Sequence, residues 1–363
     1  MEWKEIDERM VARSIREPET LTWYDPKEPP FRVDGLYWFQ QEKRYQRFPE
    51  ASIPMLEKAA PGVAYLCRHT TGGQIAFETD ARRIAVAVRL NGRHGMDHFA
   101  ATGECGMDCY LAYPGEDFHF EGVTRFPQSE EGYACEVVRG RDDEWKRVVL
   151  NLPLYMGVES LMIGLPKEAR LAAPQPFSHA KPVVFYGTSI TQGGCASRPG
   201  MLYTNILTRR MNRPIYNFGF SGSGKGEKEV AELVAQVKDP ALFVMAYEAN
   251  AGEGLYDTLD PFLDLYRRAH PDTPILLVSR MLVQRELHVK EEREKRDAKR
   301  AFQQACVEKR RSAGDRRIFF LDGRLLTPDG GDECSVDGDH PTDLGFWQIA
   351  QNLQPVIEKL MEE

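Results

Sequence analysis

The chain has 363 residues, of which 42% are hydrophobic and 28% charged, and its formal net charge is −8 at pH 7. Because one hydrophobic core rarely spans such a length, we expect two domains, and the acidic balance argues against nucleic acid or an anionic membrane as the main partner. The sequence has neither a signal-peptide core nor an apolar run of membrane-spanning length, so a cytoplasmic protein is expected.

The cysteines do not form a recognisable framework. There are seven of them, an odd number, and none belongs to a CxxC pair. Disulfide scaffolds and zinc sites in small domains depend on such paired spacing. We therefore expect reduced, packed thiols and no metal site.

The chain up to about residue 175 has a pattern typical of strands. Ile84, Val86, Val88 and Leu90 alternate with smaller or charged residues, and turn residues such as those at 71–73 separate the short runs. Many short strands with Gly and Pro breaks and little helical periodicity are typical of β-sandwiches. We predict an all-β, jelly-roll-like sandwich domain over residues 1–175.

A proline-rich, aperiodic stretch at 171–182 follows and predicts a linker, so the second domain is placed at 176–363. In this second part the spacing of hydrophobic residues along the chain changes. Short apolar runs alternate with helix-length segments, which indicates a five-stranded parallel sheet with helices on both faces. The runs are 183–186, 215–218, 242–245, 275–278 and 318–321, and the helical segments lie near 200–212, 226–238, 255–270, 289–312 and 341–362.

The first chemically suggestive residue is Ser189, in the segment Gly187-Thr188-Ser189 directly after the first of these strands. Active sites of parallel sheets form at the carboxyl ends of the strands, so a hydroxyl there can face a crevice. A second interpretation is that Ser189 or Thr188 only caps a helix. A phosphate-binding loop is a weaker alternative, because the lysine of that motif is missing.

Asp337 and His340 form a second candidate on a short segment before the last helix. An Asp and a His three residues apart on a turn can face one another, so the carboxylate can hold the imidazole in the tautomer that accepts a hydroxyl proton. Asp339 competes for that role. A surface turn that caps the helix is the alternative.

The third candidate comprises Gly222 and Asn250, on the loops after the second and third strands. A backbone N–H made accessible by glycine and a side-chain amide are the donors that an oxyanion requires. Ordinary loop residues would give the same pattern. Each candidate alone is weak, but each follows a different strand and supplies a different part of one mechanism.

Together these residues resemble the SGNH/GDSL hydrolases, over about residues 182 to 362. Ser189 resembles the family's block serine, Gly222 the second-block glycine and Asn250 the third-block asparagine, and the segment 337–340 resembles the final Asp-x-x-His. The resemblance implies a flavodoxin-like fold, a Ser189–His340–Asp337 triad and an oxyanion hole formed by Ser189, Gly222 and Asn250.

This sequence departs from the family pattern at two places. Thr188 stands where the family usually has Asp, and Glu248 and Ala251 surround Asn250 in place of Gly and Asp. Thr188 and Glu248 are predicted to contact the substrate, as is His98 on a loop of the first domain. Cys195, six residues after Ser189, is expected to be a packed residue and not the nucleophile.

The preceding sandwich resembles a bacterial branch that includes carbohydrate esterases and acyltransferases. The expected function is therefore a serine-dependent ester hydrolase without cofactor that removes short acyl groups, such as acetyl, from a sugar. Trp23, Tyr37 and Trp38 are candidates for stacking on sugar rings, although such residues also build cores. The alternatives are acyl transfer to another alcohol and a non-catalytic carbohydrate-binding protein. The exact ester and whether the chain forms a homo-oligomer are left open.

Overall fold

The computed structural model describes residues 3–328 and 331–362. The chain forms two compact units: Met1–Gln46 with Arg68–Pro176 and Ser197–Gly200, and Arg47–Cys67 with Phe177–Ala196 and Met201–Glu363. The predicted division at 175/176 into separate domains stays a prediction. None of the described helices is both long and apolar enough to cross a bilayer. No disulfide joins the seven cysteines, all of which lie in described parts of the chain.

The described residues before 177 are mostly short strands with a few short helices. The strands are β1 (Leu21–Tyr24), β2 (Arg32–Asp34), β3 (Gln74–Thr79), β4 (Arg83–Leu90), β5 (Asp108–Ala112), β6 (His119–Val123), β7 (Gly132–Arg139), β8 (Lys146–Asn151), β9 (Val158–Pro166) and β10 (Leu171–Ala172). The helices are α1 (Trp3–Ile6), α2 (Phe39–Glu42), α3 (Ile53–Ala59), α4 (Pro61–Leu66) and α5 (Ala101–Glu104).

The first unit is an antiparallel sandwich. One sheet has the order β1-β9-β4-β7 and the other β10-β3-β8-β5-β6, with β2 paired to β3. The alternating side chains of β4, namely Ile84, Val86, Val88 and Leu90, are buried in a core that also contains Phe77 of the other sheet. Side chains of a strand alternate between its two faces, so this pattern buries one face of β4. The predicted β-sandwich is confirmed.

The second unit contains five parallel strands with intervening helices. The strands are β11 (Val183–Gly187), β12 (Ile215–Gly219), β13 (Leu242–Ala246), β14 (Ile275–Val278) and β15 (Ile318–Leu321). The helices are α6 (Ser189–Gln192), α7 (Tyr203–Met211), α8 (Lys228–Val234), α9 (Glu248–Ala251), α10 (Leu255–Ala269), α11 (Gln284–His288), α12 (Lys290–Ser312) and α13 (Asp343–Glu362). The sheet order is β12-β11-β13-β14-β15, so the predicted flavodoxin-like parallel sheet is confirmed.

Apolar strands and aromatic side chains form the core of this sheet. The strand β11 is buried along its whole length, as expected for a parallel strand covered on both faces. Tyr266 of α10 stacks on Phe243 of β13 with 3.9 Å between ring centroids, and Phe262 stacks on Tyr186 at 4.9 Å. This packing fixes the strands, and their carboxyl ends present the loops that carry the candidate residues.

The segment 47–67 belongs to this second unit, although its sequence position is within the predicted sandwich. Pro54 and Pro61 stand in the first turns of α3 and α4, where a missing N–H costs nothing. The buried Arg47 guanidinium donates to the carbonyls of Gly219, at the end of β12, and Leu66. The sequence pattern alone did not predict these helices.

Candidate active site

Ser189 opens α6 at the carboxyl end of β11. Thr188 is the N-cap, and its Oγ1 accepts a hydrogen bond from Ile190 N at 3.3 Å. The helix lies against the strand, because a Cβ at Gly187 would come within 2.1 Å of Thr191 Oγ1. Thr188 is only 3% exposed whereas Ser189 is half-buried. The capping interpretation therefore holds for Thr188, and its contact with a substrate stays a prediction.

Asp337 and His340 lie on a tight turn that precedes α13. Asp337 Oδ1 accepts hydrogen bonds from Asp339 N at 2.9 Å and His340 N at 2.8 Å. Gly338 between them has φ 91°, a left-handed conformation that glycine adopts without strain. Its N–H donates to Ser335 Oγ. The local sequence thus encodes the turn that places the carboxylate beside the imidazole.

This turn and the start of α6 meet in space. His340 Nδ1 lies 2.7 Å from Asp337 Oδ2, and His340 Nε2 lies 2.8 Å from Ser189 Oγ. With a proton on Nδ1, the imidazole donates to the carboxylate and its Nε2 accepts from the serine hydroxyl. A hydroxyl, an imidazole and a carboxylate in this order can deprotonate the hydroxyl during nucleophilic attack.

The electrostatics of the turn favour an ionised Asp337. Partial burial alone would raise the pKa of this carboxyl group, but hydrogen bonds from the backbone and side chain of His340 and from Asp339 N together outweigh it. The pKa of Asp337 is consequently held well below its usual value. A negative charge beside the imidazole stabilises the cation that forms when His340 accepts a proton.

This lowered pKa predicts a pH-dependent contribution to stability. A depressed carboxyl pKa stabilises the folded state above the unfolded pKa of about 4, and the contribution is lost as pH falls further. The difference in free energy of unfolding between the wild type and Asp337→Asn, measured by urea denaturation, should therefore decrease as pH is lowered from 6 towards 3. In a His340→Gln background the dependence should be weaker, because one donor is gone. An equal difference at every pH would contradict this account.

Gly222 and Asn250 lie on the loops after β12 and β13. Gly222 has φ 63°, and no atom lies within 4 Å of a Cβ built there, so backbone conformation and not space favours glycine. Asn250, in α9, donates from Nδ2 to Phe220 O at 2.7 Å, which ties the two loops together. Both residues thus follow strands that flank β11, at the edge where Ser189 lies. Their roles as oxyanion donors stay predictions.

Two buried amide side chains that were not predicted hold these loops. Gln192, fully buried, accepts at Oε1 from Ser221 N at 2.8 Å. Asn217 Nδ2 donates to Thr191 O at 2.6 Å, and its Oδ1 accepts from Gly219 N. They connect α6, which carries Ser189, to the end of β12. The only available signal was a polar residue within an apolar strand, at Asn217.

Glu248 is 1% exposed, and its carboxylate is enclosed by the protein. Its contact with a substrate stays a prediction. Glu248 Oε2 accepts from Arg280 N at 2.7 Å and from Gln303 Nε2 at 2.8 Å. Buried carboxylates need such partners to offset their loss of water. Glu248 therefore joins the loop after β14 to α12.

The structure places the last two candidates as follows. His98 is exposed on the loop between β4 and α5 of the first unit, and its contact with a substrate stays a prediction.

Cys195 is half-buried, and burial, with a smaller effect of the Asp337 charge, raises the pKa of its thiol to about 12. A thiol with that pKa is protonated at neutral pH, so Cys195 is a poor nucleophile. The expectation that no metal or cofactor is required also stays a prediction.

Two family models match the chain. Residues 180–358 match the GDSL-like lipase/acylhydrolase family, and residues 21–171 match the N-terminus of SGNH hydrolase-type esterases. A comparison with curated proteins finds no match.

Several solved structures are similar over nearly the whole chain. A Bacteroides ovatus protein described as a GDSL-like lipase has 28% identity and a TM-score of 0.86, covering 94% of this chain and 98% of its own. A salicylyl-acyltransferase from a tetracycline biosynthetic pathway has 18% identity, a TM-score of 0.73 and coverage of 95% and 98%. A family two carbohydrate esterase from Cellvibrio japonicus has 14% identity, a TM-score of 0.59 and coverage of 94% and 98%. The last two likenesses concern the fold alone. With the two family models matching consecutive parts of the sequence, the chain belongs to the SGNH/GDSL hydrolases, enzymes that act on ester bonds.

Proposed function

We propose that this chain hydrolyses short acyl esters of carbohydrates, acetyl esters above all, with Ser189 as nucleophile, His340 as general base and Asp337 as the carboxylate that orients it. The observation that carries the proposal is the continuous pair of contacts from Ser189 Oγ to His340 Nε2, at 2.8 Å, and from His340 Nδ1 to Asp337, at 2.7 Å. Both distances are within proton-transfer reach.

In the proposed first step, Ser189 Oγ attacks the ester carbonyl carbon while His340 Nε2 takes the hydroxyl proton. The carbonyl oxygen becomes an oxyanion, which the N–H groups of Ser189 and Gly222 and the amide of Asn250 stabilise. The imidazolium then gives its proton to the departing alcohol oxygen, which leaves an acyl group on Ser189. Water, deprotonated by His340, releases the acid and regenerates the serine.

The preference for a short acyl group rests on the small space at the segment that carries the nucleophile. A cavity of about 30 Å³ is lined among others by Thr188 and Ile190, the sequence neighbours of Ser189, and by Ala249, the neighbour of Asn250, although neither Ser189 nor His340 lines it. That volume has room for roughly two water-sized groups. The fold shared with a family two carbohydrate esterase supports a sugar as the alcohol component.

Of the three aromatic candidates for stacking on sugar rings, at least one is part of the protein core. Trp38 is buried at 9% exposure, and Tyr37 packs edge-on against it with 4.8 Å between ring centroids. Trp23 is half-buried and lies beside Gly164, where a Cβ would come within 3.0 Å of its ring. Trp38 is therefore a core residue, and the proposal does not depend on any of the three.

Acyl transfer to an alcohol other than water is the second candidate, because the fold over 95% of the chain is also that of a salicylyl-acyltransferase. The chemistry up to the acyl-enzyme is identical. The two functions differ only in whether water or a second alcohol attacks the acyl-serine.

The test compares p-nitrophenyl acetate, butyrate and octanoate, with kcat/KM measured for each. We expect acetate to exceed octanoate by about tenfold or more, because a tight site rejects added methylenes by 1–3 kcal/mol each. The same enzyme should release acetate from acetylated xylose or glucose, and the Ser189→Ala variant gives the background rate.

Other outcomes would change the assignment. A preference for octanoate contradicts the short-acyl proposal. Transfer of acetyl to an added sugar that outpaces release of free acetate favours the acyltransferase. Binding of acetylated sugars with no turnover in any assay identifies a non-catalytic binding protein.

A further inference from the structure

The turn that carries Asp337 and His340 is held from outside by the loop after β14. Arg280 Nη2 donates to Asp339 Oδ1 at 2.5 Å, and the two side chains form an ion pair. Gln284, four residues further on, donates from its backbone N to Gly338 O at 3.2 Å. The turn is therefore fixed at two points, by Arg280 on this loop and by Gln284, the first residue of α11.

The backbone of Arg280 is itself held in place by hydrogen bonds. Its backbone N–H donates to Glu248 Oε2, and Gln303 Nε2 of α12 donates to the same oxygen. The adjacent Ser279 accepts at Oγ from Gly323 N at 2.9 Å. The loop is thus anchored directly in α9 and after β15, and Gln303 of α12 holds the first of these anchors, so buried residues of the unit fix the position of Arg280.

Arg280 is a mostly buried cation, so its pairing with Asp339 matters for the energy of this site. The Arg280 side chain is 9% exposed, whereas that of Asp339 is 39% exposed. The Glu248 carboxylate lies at the backbone N–H of Arg280 and 3.7 Å from Arg296. Arg280 is thus the buried member of the pair, and removing Asp339 leaves its guanidinium with less compensation. Asp339 supplies that compensation and draws the turn towards the loop.

Asp339 immediately precedes His340, so any shift of Asp339 is transmitted to the imidazole. Catalytic groups must be held within about 0.5 Å of the productive geometry, and a misplacement of about 1 Å can cost on the order of 10²-fold in rate. The hydrogen bonds within the turn fix its internal shape but not its place relative to α6. The ion pair with Arg280 supplies that external constraint together with the hydrogen bond from Gln284 N to Gly338 O.

We propose that Arg280 is a positioning residue, which acts through Asp339 to keep His340 within reach of Ser189. The inference rests on the proposed function, because it assigns Arg280 to the geometry of the proposed triad. The Arg280 side chain pairs with Asp339, and Glu248 fixes the backbone from which that side chain extends.

The test is a double-mutant cycle on p-nitrophenyl acetate hydrolysis, with Arg280→Gln, Asp339→Asn and the double variant. Each single change should lower kcat about 10- to 100-fold with KM altered less than about threefold, since geometry and not binding is lost. The double variant should lose no more than the worse single variant, because both changes break one interaction. Arg280→Lys should recover part of kcat. Arg324→Gln, which removes a surface arginine paired with Asp322, is the matched control and should retain wild-type kcat.

Three results would overturn the proposal. They are losses that multiply in the double variant, a rise in KM with unchanged kcat, and wild-type kcat in Asp339→Asn. The last variant alters the more exposed partner, so it keeps the test decisive even where Arg280→Gln does not fold. The proposed function is judged separately by Ser189→Ala. An inactive Ser189→Ala together with fully active Arg280 and Asp339 variants refutes only the positioning role, whereas an active Ser189→Ala refutes the triad itself.

Discussion

Replacing Ser189 with Ala should lower kcat for p-nitrophenyl acetate by about 10⁴-fold or more, as removal of a catalytic nucleophile does in serine hydrolases. The change deletes one oxygen from a half-buried side chain and leaves the Thr188 cap of α6 in place. We therefore expect the melting temperature to change little. Steady-state hydrolysis and a thermal melt of the same preparation measure both quantities.

Ser178→Ala is the matched control for this change. Ser178 is exposed, accepts from Asn212 Nδ2 at 2.6 Å and precedes β11, so it lies before the strand whose other end carries Ser189. This variant should hydrolyse the ester at the wild-type rate. Full activity of Ser189→Ala, or an equal loss in both variants, would remove the basis for Ser189 as nucleophile.

Replacing Asp337 with Asn should lower kcat about 10³- to 10⁴-fold, because an amide facing Nδ1 favours the tautomer in which Nε2 carries the proton. In that tautomer His340 cannot accept the Ser189 proton. The two backbone hydrogen bonds to Oδ1 can persist, so the turn should still form. The measurement is kcat, with circular dichroism to verify folding.

Asp339→Asn provides the comparison for this second variant. Asp339 also lies beside His340, but its carboxylate faces Arg280, whereas that of Asp337 faces the imidazole. Asp337→Asn should therefore lower kcat at least about tenfold more than Asp339→Asn does. The first variant puts His340 in the wrong tautomer, whereas the second only loosens its position. The reverse order would assign the acid of the triad to Asp339.

The second unit was largely predictable from sequence because buried parallel strands appear as continuous apolar runs. The five predicted runs correspond to β11 to β15, which differ from them by one residue at most. Ser189, Asp337 and His340 could be found because each stands beside a strand or helix boundary that the pattern itself reveals. The segment 53–66 was missed because α3, the first of its two short helices, packs against α8, which is remote in sequence.

The supporting polar residues were harder to predict than the proposed triad. A buried polar side chain is satisfied by partners that tertiary structure brings together, and these leave no periodic signal. Arg47 reaches Gly219, 172 positions away, and Glu248 reaches Gln303, 55 positions away. From sequence, a carboxylate near Asn250 after a strand end fits a substrate contact equally well. The burial of Glu248 and its partners are visible only in the structure.

Covalent labelling tests the central claim most directly. Wild-type protein treated with a fluorophosphonate should carry one phosphonyl adduct, and peptide mass spectrometry should locate it on Ser189. The adduct should be absent from Ser189→Ala and form more slowly in Asp337→Asn. An adduct at stoichiometric yield on another residue, or full ester hydrolysis by protein that remains unlabelled, would contradict the assignment of Ser189 as the nucleophile.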